Sequence, residues 1–408
     1  MQTRQHLWRH ADFMKLWSGQ TISELGSRIT RDGLPLVALL VLGASPLQMG
    51  MITALGSLVV LLISLPAGAW VDRLRRKPIM LVADIGRALI IAVVPIAALT
   101  QQLRLEQLYL VVAVNGGLTV LFNAAYEAYL PSLIARENLV EGNSKLALSS
   151  SLAEVLGPGL AGFLVQLFTA PIALALDAAS FLASIASLVL IRTPEPPPAA
   201  IETRRHLVHE IVEGVRWVWA DRRLRALALA GGTRSFFGNF IGVLYSLYAI
   251  RVLGLDAAAL GVTIAMGGVG SLVGAAMADR AANRFGLGRA LIGSALFSGA
   301  LTFLIPLANG SVLQAMLILM LSQLGGDALS TIHGITTISL RQSVTPDRLL
   351  GRTSTSLQVL IAGVGPLGAL AGGALAEVIG VRETLFIAVT GILLSTGWLI
   401  ASPLRQTR

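Results

Sequence analysis

The 408-residue sequence has no cysteine, which excludes disulfides, thiolate metal sites and thiol nucleophiles. It also has little charge: 13% of its residues are Asp, Glu, Lys or Arg, against roughly 25% in an ordinary soluble domain. Three enzyme signatures are missing as well. No glycine-rich phosphate loop with a lysine is present, so direct ATP hydrolysis is not expected. His209-Glu210-Ile-Val-Glu213 lacks the second histidine of the zinc-protease pattern, and Leu324 stands where the intramembrane aspartyl-protease pattern around Gly325-Gly326-Asp327 needs glycine. No enzyme activity, metal site or cofactor is expected. What is abundant is apolar. Hydrophobic residues make up 54% of the chain and mean hydropathy is +0.74. They come in runs of about 20, the mark of a polytopic membrane protein.

The net charge of +9 resembles a nucleic-acid signal only until the cations are located. Apolar segments can be placed at 14–43, 47–70, 78–100, 106–131, 145–169, 171–191, 224–253, 257–279, 287–308, 311–340, 353–379 and 382–402. If they alternate across the bilayer, all but seven of the 31 Lys and Arg residues fall on one side. Arg104, Arg251 and Arg382 fall on the other, and Arg28, Arg31, Arg87 and Arg234 lie inside apolar segments. That is the positive-inside bias, so the basic charge encodes topology and not a nucleic-acid partner. It puts both termini in the cytoplasm. The N-terminus lacks the pattern of a cleaved signal, and its first long segment reads as a retained span.

Three domains are expected: a bundle over 1–191, a linker over 192–223 and a second bundle over 224–408. In the linker, Arg192-Thr-Pro-Glu-Pro-Pro-Pro198 cannot continue a helix. After it, Leu207, Ile211, Val215 and Val218 recur at helical spacing opposite Arg204, Glu213 and Arg216. This reads as an amphipathic helix on the cytoplasmic surface, a tether in preference to a partner-binding element. The two bundles are parallel repeats. Val41-Leu42-Gly43 matches Val252-Leu253-Gly254, Asp72-Arg73 matches Asp279-Arg280, and Gly157-Pro158 matches Gly365-Pro366, at offsets between 207 and 211. Repeats of six spans in the same orientation relate by an axis along the membrane normal, and a substrate cavity is expected between them.

The turn after the second segment carries Gly68, Asp72-Arg73 and Arg75-Arg76-Lys77. Together with the repeat, and with Gly157-Pro158-Gly159-Leu-Ala-Gly162, it resembles the major facilitator superfamily across nearly the whole chain. Ser180-Phe-Leu-Ala-Ser184 and the Pro-rich linker resemble the twelve-span drug exporters related to macrolide efflux and enterobactin export proteins. The resemblance implies an all-α polytopic fold of twelve transmembrane helices in two six-helix bundles with pseudo-two-fold symmetry. It also implies a monomer in the bacterial inner membrane. Gly68, Asp72, Arg73 and Arg76 correspond to a cytoplasmic gate that Glu127 completes, and Asp84 and Arg87 are placed in the same network. Charge-assisted bonds between Asp72 and the arginines can lock two helices on the cytoplasmic side. The chain departs from the family at Leu74, where a second glycine is usual, and at Ala153 and Ala161. Gly157, Pro158, Gly162, Gly365 and Pro366 form a packing and bending motif in both halves, which favours a moving gate over packing alone.

Ionisable residues inside spans are costly and mark function by default. Glu24, Arg28, Arg31 and Asp32 fall at i, i+4, i+7 and i+8 of the first span, on one helical face. Glu24 with Arg28 and Arg28 with Asp32 can pair within the helix. One reading is a self-neutralised helix contact; the favoured one is a cavity-facing role. A desolvated carboxylate can exchange a proton near neutral pH, which makes Asp32 the first candidate for proton coupling and Glu24 the second. The family's helix-4 arginine is absent at Val114-Asn115-Gly116-Gly117, so coupling must rest on these carboxylates. Glu154 precedes Gly157-Pro158 by a turn and is expected to line the path. Arg234 and Asp327 would face the first-span charges from the other half, with Asn239 and Tyr245 contacting substrate. Asp177 would pair with a cation or cap a loop. The expected function is proton-coupled export of an amphipathic organic compound by alternating access. The alternative is a transporter of lysophospholipid or other lipid.

Overall fold

The computed structural model describes residues 7–195 and 207–406. The described chain is helical, with no strand. The first half runs α1 (Ala11–Leu36), α2 (Pro46–Arg73), α3 (Arg76–Leu99), α4 (Leu105–Leu133), α5 (Leu139–Phe168) and α6 (Ala170–Leu190). After α7 (Leu207–Ala220) come α8 (Arg222–Leu247), α9 (Ala257–Phe285), α10 (Leu287–Thr302) and the short α11 (Leu304–Leu307). The chain ends with α12 (Val312–Val344), α13 (Asp347–Gly363), α14 (Gly365–Ile379) and α15 (Val381–Ile400).

Among the described residues, 11 helices are long and apolar enough to cross a membrane. α1 is the twelfth span. It corresponds to the expected segment 14–43 but is less purely apolar than the other 11, because Lys15, Glu24, Arg28, Arg31 and Asp32 all lie within it. Its start is fixed locally: His10 is the N-cap and accepts from the Phe13 N–H at 3.1 Å, satisfying an amide that the first turn leaves free.

Contacts divide the chain into two compact units, Met1–Ala44 with Leu55–Glu202 and Ser45–Ala54 with Thr203–Arg408. In the first unit α1 packs between α6 and α5, and α3 packs against α4 and α6. Glycines let α1 approach α6 closely. A Cβ on Gly26 would lie 2.6 Å from Asp177 Oδ1, and one on Gly33 would lie 2.8 Å from Leu174 Cδ1, well inside contact distance. Along α5 the register is parallel: Trp17 Nε1 donates to Lys145 O at 3.1 Å, and the Thr21 and Ser149 hydroxyls meet at 2.8 Å.

The second unit repeats these pairings, with α8 against α15 and α14, and α10 against α12 and α15. It adds a tight α9–α12 contact, where Gly270 and Gly274 lie directly on the backbone of Leu324 and Ala328. The first turns of α2 also belong here: the Leu47 N–H donates to Glu377 Oε1 at 3.1 Å. In both units the first long helix ends in a π-turn, Val37–Val41 and Tyr248–Val252. Each is closed by a glycine with positive φ, +64° at Gly43 and +72° at Gly254, the left-handed conformation that glycine adopts without steric cost.

Three sequence expectations change. Asp279-Arg280 does not sit at a turn, because α9 continues to Phe285 and the chain turns at Gly286, where φ is +80°. The helix after the linker does not lie free on the surface. Val218 of α7 is fully buried in a cluster with Leu224, Leu291 and Leu357, and Glu213 pairs with Arg352 of α13 at 2.5 Å. The rest of the linker reading, residues 196–206 and the side chains of 207–211, lies outside the described residues. The paired Gly-Pro motifs also differ: Pro158 sits inside an unbroken α5, whereas Gly365-Pro366 begins α14 after a break at Val364. Proline near a helix start loses no hydrogen bond, so only the second motif interrupts its span.

Candidate functional site

The charges of α1 engage α5. Ser150 Oγ donates to Glu24 Oε1 at 3.4 Å, and Arg28 Nη2 lies 3.3 Å from Glu154 Oε2. Gly157 makes room for the arginine: a Cβ there would sit 2.6 Å from Arg28 Cβ and 3.0 Å from its Cγ. The expected pairs within α1, Glu24 with Arg28 and Arg28 with Asp32, do not form among the described residues. The reason is geometric. The polar face of α1 is turned to a helix that carries its own acid at matching height, and the guanidinium reaches across to it. Asp32 is left half-buried, with Oδ2 shut from water and without a hydrogen-bond partner. Arg31, Arg28 and Glu154 are the charges around it, although Arg31 itself is exposed. Pro158 and Gly162 are buried on α5 beside this contact.

Asp84 and Arg87, expected in the gate network, lie in the interior of the first unit. They begin two turns into α3 and are 0% and 4% exposed. They form an ion pair with each other. The Ser184 hydroxyl donates to Asp84 Oδ2 at 2.5 Å and receives Gln20 Nε2 at 2.7 Å. Arg87 is held between the rings of Phe122 and Phe181, 4.1 and 4.6 Å from their centroids, a cation–π arrangement that is strongest when desolvated.

At the turn between α2 and α3 the acid that meets the cations is Glu195, which sequence reasoning missed. It accepts the backbone N–H groups of Arg76 and Lys77 at 2.6 and 3.1 Å, and lies 3.7 Å from Arg76 Nη1. Those are free amides at the start of α3, where negative charge is favoured. Lys77 Nζ donates to Ile191 O at 2.8 Å. The same segment is stitched to α1, where Asp12 Oδ2 accepts from the N–H groups of Arg192 and Thr193 at 3.0 and 2.9 Å. Burial alone would raise the Asp12 pKa, but its bonds from Lys15 and Thr193 outweigh burial and hold it well below the usual carboxylate range. Glu127, the expected partner, is exposed and forms no ion pair among the described residues. Arg73 and Gly68 are exposed too, and the Asp72 side chain lies outside the described residues. The only sequence signal for Glu195 was an acid set among prolines directly after a span.

In the second unit Arg234 donates to Ser298 Oγ at 2.9 Å and Ser330 Oγ at 3.4 Å, leaving Nη1 buried without a partner. The Asp327 carboxylate lies against Gly267 of α9. Asn239 Nδ2 donates to Ser235 O at 2.8 Å, and a Cβ on Gly365 would sit 3.1 Å from it. Gly365 thus makes room for a polar side chain of α8, as Gly157 does for Arg28 of α1. Tyr245 is not displayed for substrate: it is buried, with its hydroxyl 3.5 Å from Thr263 of α9.

Residues 6–408 match the family described as transmembrane secretion effector. The chain is 28% identical over 357 residues to the multidrug efflux pump Tap of Mycolicibacterium fortuitum, covering 85% of this chain and 84% of that protein. It is 26% identical over 328 residues to the enterobactin exporter EntS of Shigella boydii serotype 4 (strain Sb227), covering 78% and 76%. The fold matches a point mutant of the nucleoside transporter NupG with a TM-score of 0.80 at 10% identity, over 96% of this chain and 99% of that one.

Proposed function

Because the chain belongs to the transmembrane secretion effector family of major facilitator superfamily transporters, we propose that it exports an amphipathic organic compound by alternating access in exchange for protons. The export direction and substrate class draw support from similarity to a multidrug efflux pump and an enterobactin exporter. The setting is the bacterial inner membrane, with a single chain as the working unit and both termini in the cytoplasm, as the cation bias favours.

The observation that carries the proton part is one arginine beside two acids. Arg28 pairs with Glu154, while Asp32 keeps a buried oxygen without a donor. A proton arriving on Glu154 removes the charge that holds Arg28 and frees it to compensate Asp32; loss of that proton restores the first pairing. The two arrangements differ in how α1 is tied to α5, so a proton biases one conformation against the other. The α2–α3 turn, with Asp72, Arg73, Arg76 and Glu195, serves as the cytoplasmic gate. The break at Val364 gives α13 and α14 a hinge.

The test is transport in proteoliposomes under an imposed pH gradient, with an amphipathic dye, a macrolide and a catecholate siderophore as probes. Wild type moves at least one probe against the proton flow, and Asp32→Asn abolishes the gradient-driven part. Translocation of lysophospholipid that ignores the gradient would overturn the antiport reading in favour of lipid transport.

A further inference from the structure

A second buried acid lies in the first unit, apart from the α1–α5 pair. Asp177 of α6 is 1% exposed and faces α1 at Gly26, where a Cβ would meet its Oδ1 at 2.6 Å. Oδ1 accepts from Ser180 Oγ at 3.0 Å, whereas Oδ2 is buried without a hydrogen-bond partner. Thr30, one turn along α1, faces the same carboxyl and is 3% exposed. Its hydroxyl also lacks a partner of hydrogen-bonding geometry.

The charges around this point do not balance. From α3 come Arg87 and Asp84, and from α1, farther off, Glu24. On α5, Glu154 turns to Arg28 and is half exposed; the π-turn Val37–Val41 carries no charge. Arg87 is committed to Asp84. One cation therefore stands between two fully buried carboxyls. An ionised carboxylate this buried, with one oxygen that no donor meets in hydrogen-bonding geometry and with no cation of its own, is strongly unfavourable. A proton on Oδ2 removes the charge, and the neutral acid can then pair with the Thr30 hydroxyl as donor or as acceptor.

We propose that Asp177 is a proton-binding site of the first unit, closed while Gly26 of α1 lies against it and opened when α1 moves away from α6. The proton bonds to Oδ2, comes from water and returns to water; no other bond changes. This site goes beyond the α1 carboxylates, and either can exist without the other.

The test is infrared difference spectroscopy of the full chain in liposomes between neutral and alkaline pH. A protonated-carboxyl band is expected at neutral pH, lost in Asp177→Asn, shifted in Thr30→Val and retained in Asp32→Asn. Should Asp177→Asn fail to fold, the shift of the wild-type band in Thr30→Val decides alone. A neutral-pH spectrum without such a band, or a band indifferent to both variants, overturns the proposal, because the carboxylate is then ionised and solvated by buried water. Loss of pH-driven transport with the Asp177 band intact would sink the antiport reading and leave this site standing.

Discussion

Replacing Gly157 by alanine isolates the closest approach of α1 to α5. The new Cβ would sit 2.6 Å from Arg28 Cβ and 3.0 Å from its Cγ, where carbon atoms rest at about 3.5–4.0 Å. Relief needs roughly 1 Å of separation, which would carry the Arg28–Glu154 pair from 3.3 Å to beyond ion-pair range. Overpacking of this kind costs about 1–3 kcal/mol. Gly293→Ala in α10 provides the control, since nothing lies within 4 Å of a Cβ there and both glycines are helical. The gain in helix propensity on replacing glycine, about 1 kcal/mol, then cancels between the two variants. Thermal unfolding of the two purified proteins side by side should place Gly157→Ala below Gly293→Ala by the whole overpacking cost. Gradient-driven transport should fall in Gly157→Ala only. Equal stability and equal transport would mean that α1 does not lie on α5 as described, and the coupling pair would lose its geometric basis.

Other outcomes follow from the same contacts. Arg87→Ala leaves Asp84 buried without its cation, which should cost about 3–5 kcal/mol and deplete folded protein on size exclusion; Asp84→Asn in the same chain should recover much of it. Glu195→Ala removes the acceptor for two amides at the start of α3 and should lower stability by about 1 kcal/mol, with Glu195→Gln milder in the same thermal assay. For Asp12, whose folded pKa is depressed, the stabilisation is present above about pH 4 and is lost as pH falls through the folded value. Melting curves recorded from neutral pH downward should therefore converge for wild type and Asp12→Asn at the acid end; parallel curves would show that Asp12 is not what holds the segment at Arg192.

Much of the architecture was legible because it repeats. The Val-Leu-Gly triplets mark matching π-turns, each ended by a glycine with positive φ, and the cation bias with the apolar runs sufficed for twelve spans. The polar face of α1 was equally visible from spacing. What spacing could not reveal was the partner across that face. Arg28 had acids within reach on its own helix, and the choice of Glu154 depends on the parallel register with α5. Asp84 and Arg87 looked peripheral because the second apolar run ends nearby. α3 begins only at Arg76, yet eight residues of helix rise about 12 Å, enough to carry the pair into the core. Amphipathicity in α7 announced one buried face without distinguishing a lipid surface from α13. Glu195 was hidden by distance, 119 residues from the amide it caps.

The central claim is that export is driven by protons through the acids around Arg28. Its most direct measurement follows luminal pH and probe flux together in proteoliposomes, for wild type and Asp32→Asn. Wild type should show proton movement opposite to, and dependent on, probe movement, with Asp32→Asn binding the probe but moving no protons. Equal proton-linked flux in Asp32→Asn, or probe flux in wild type without any proton movement, would contradict the account.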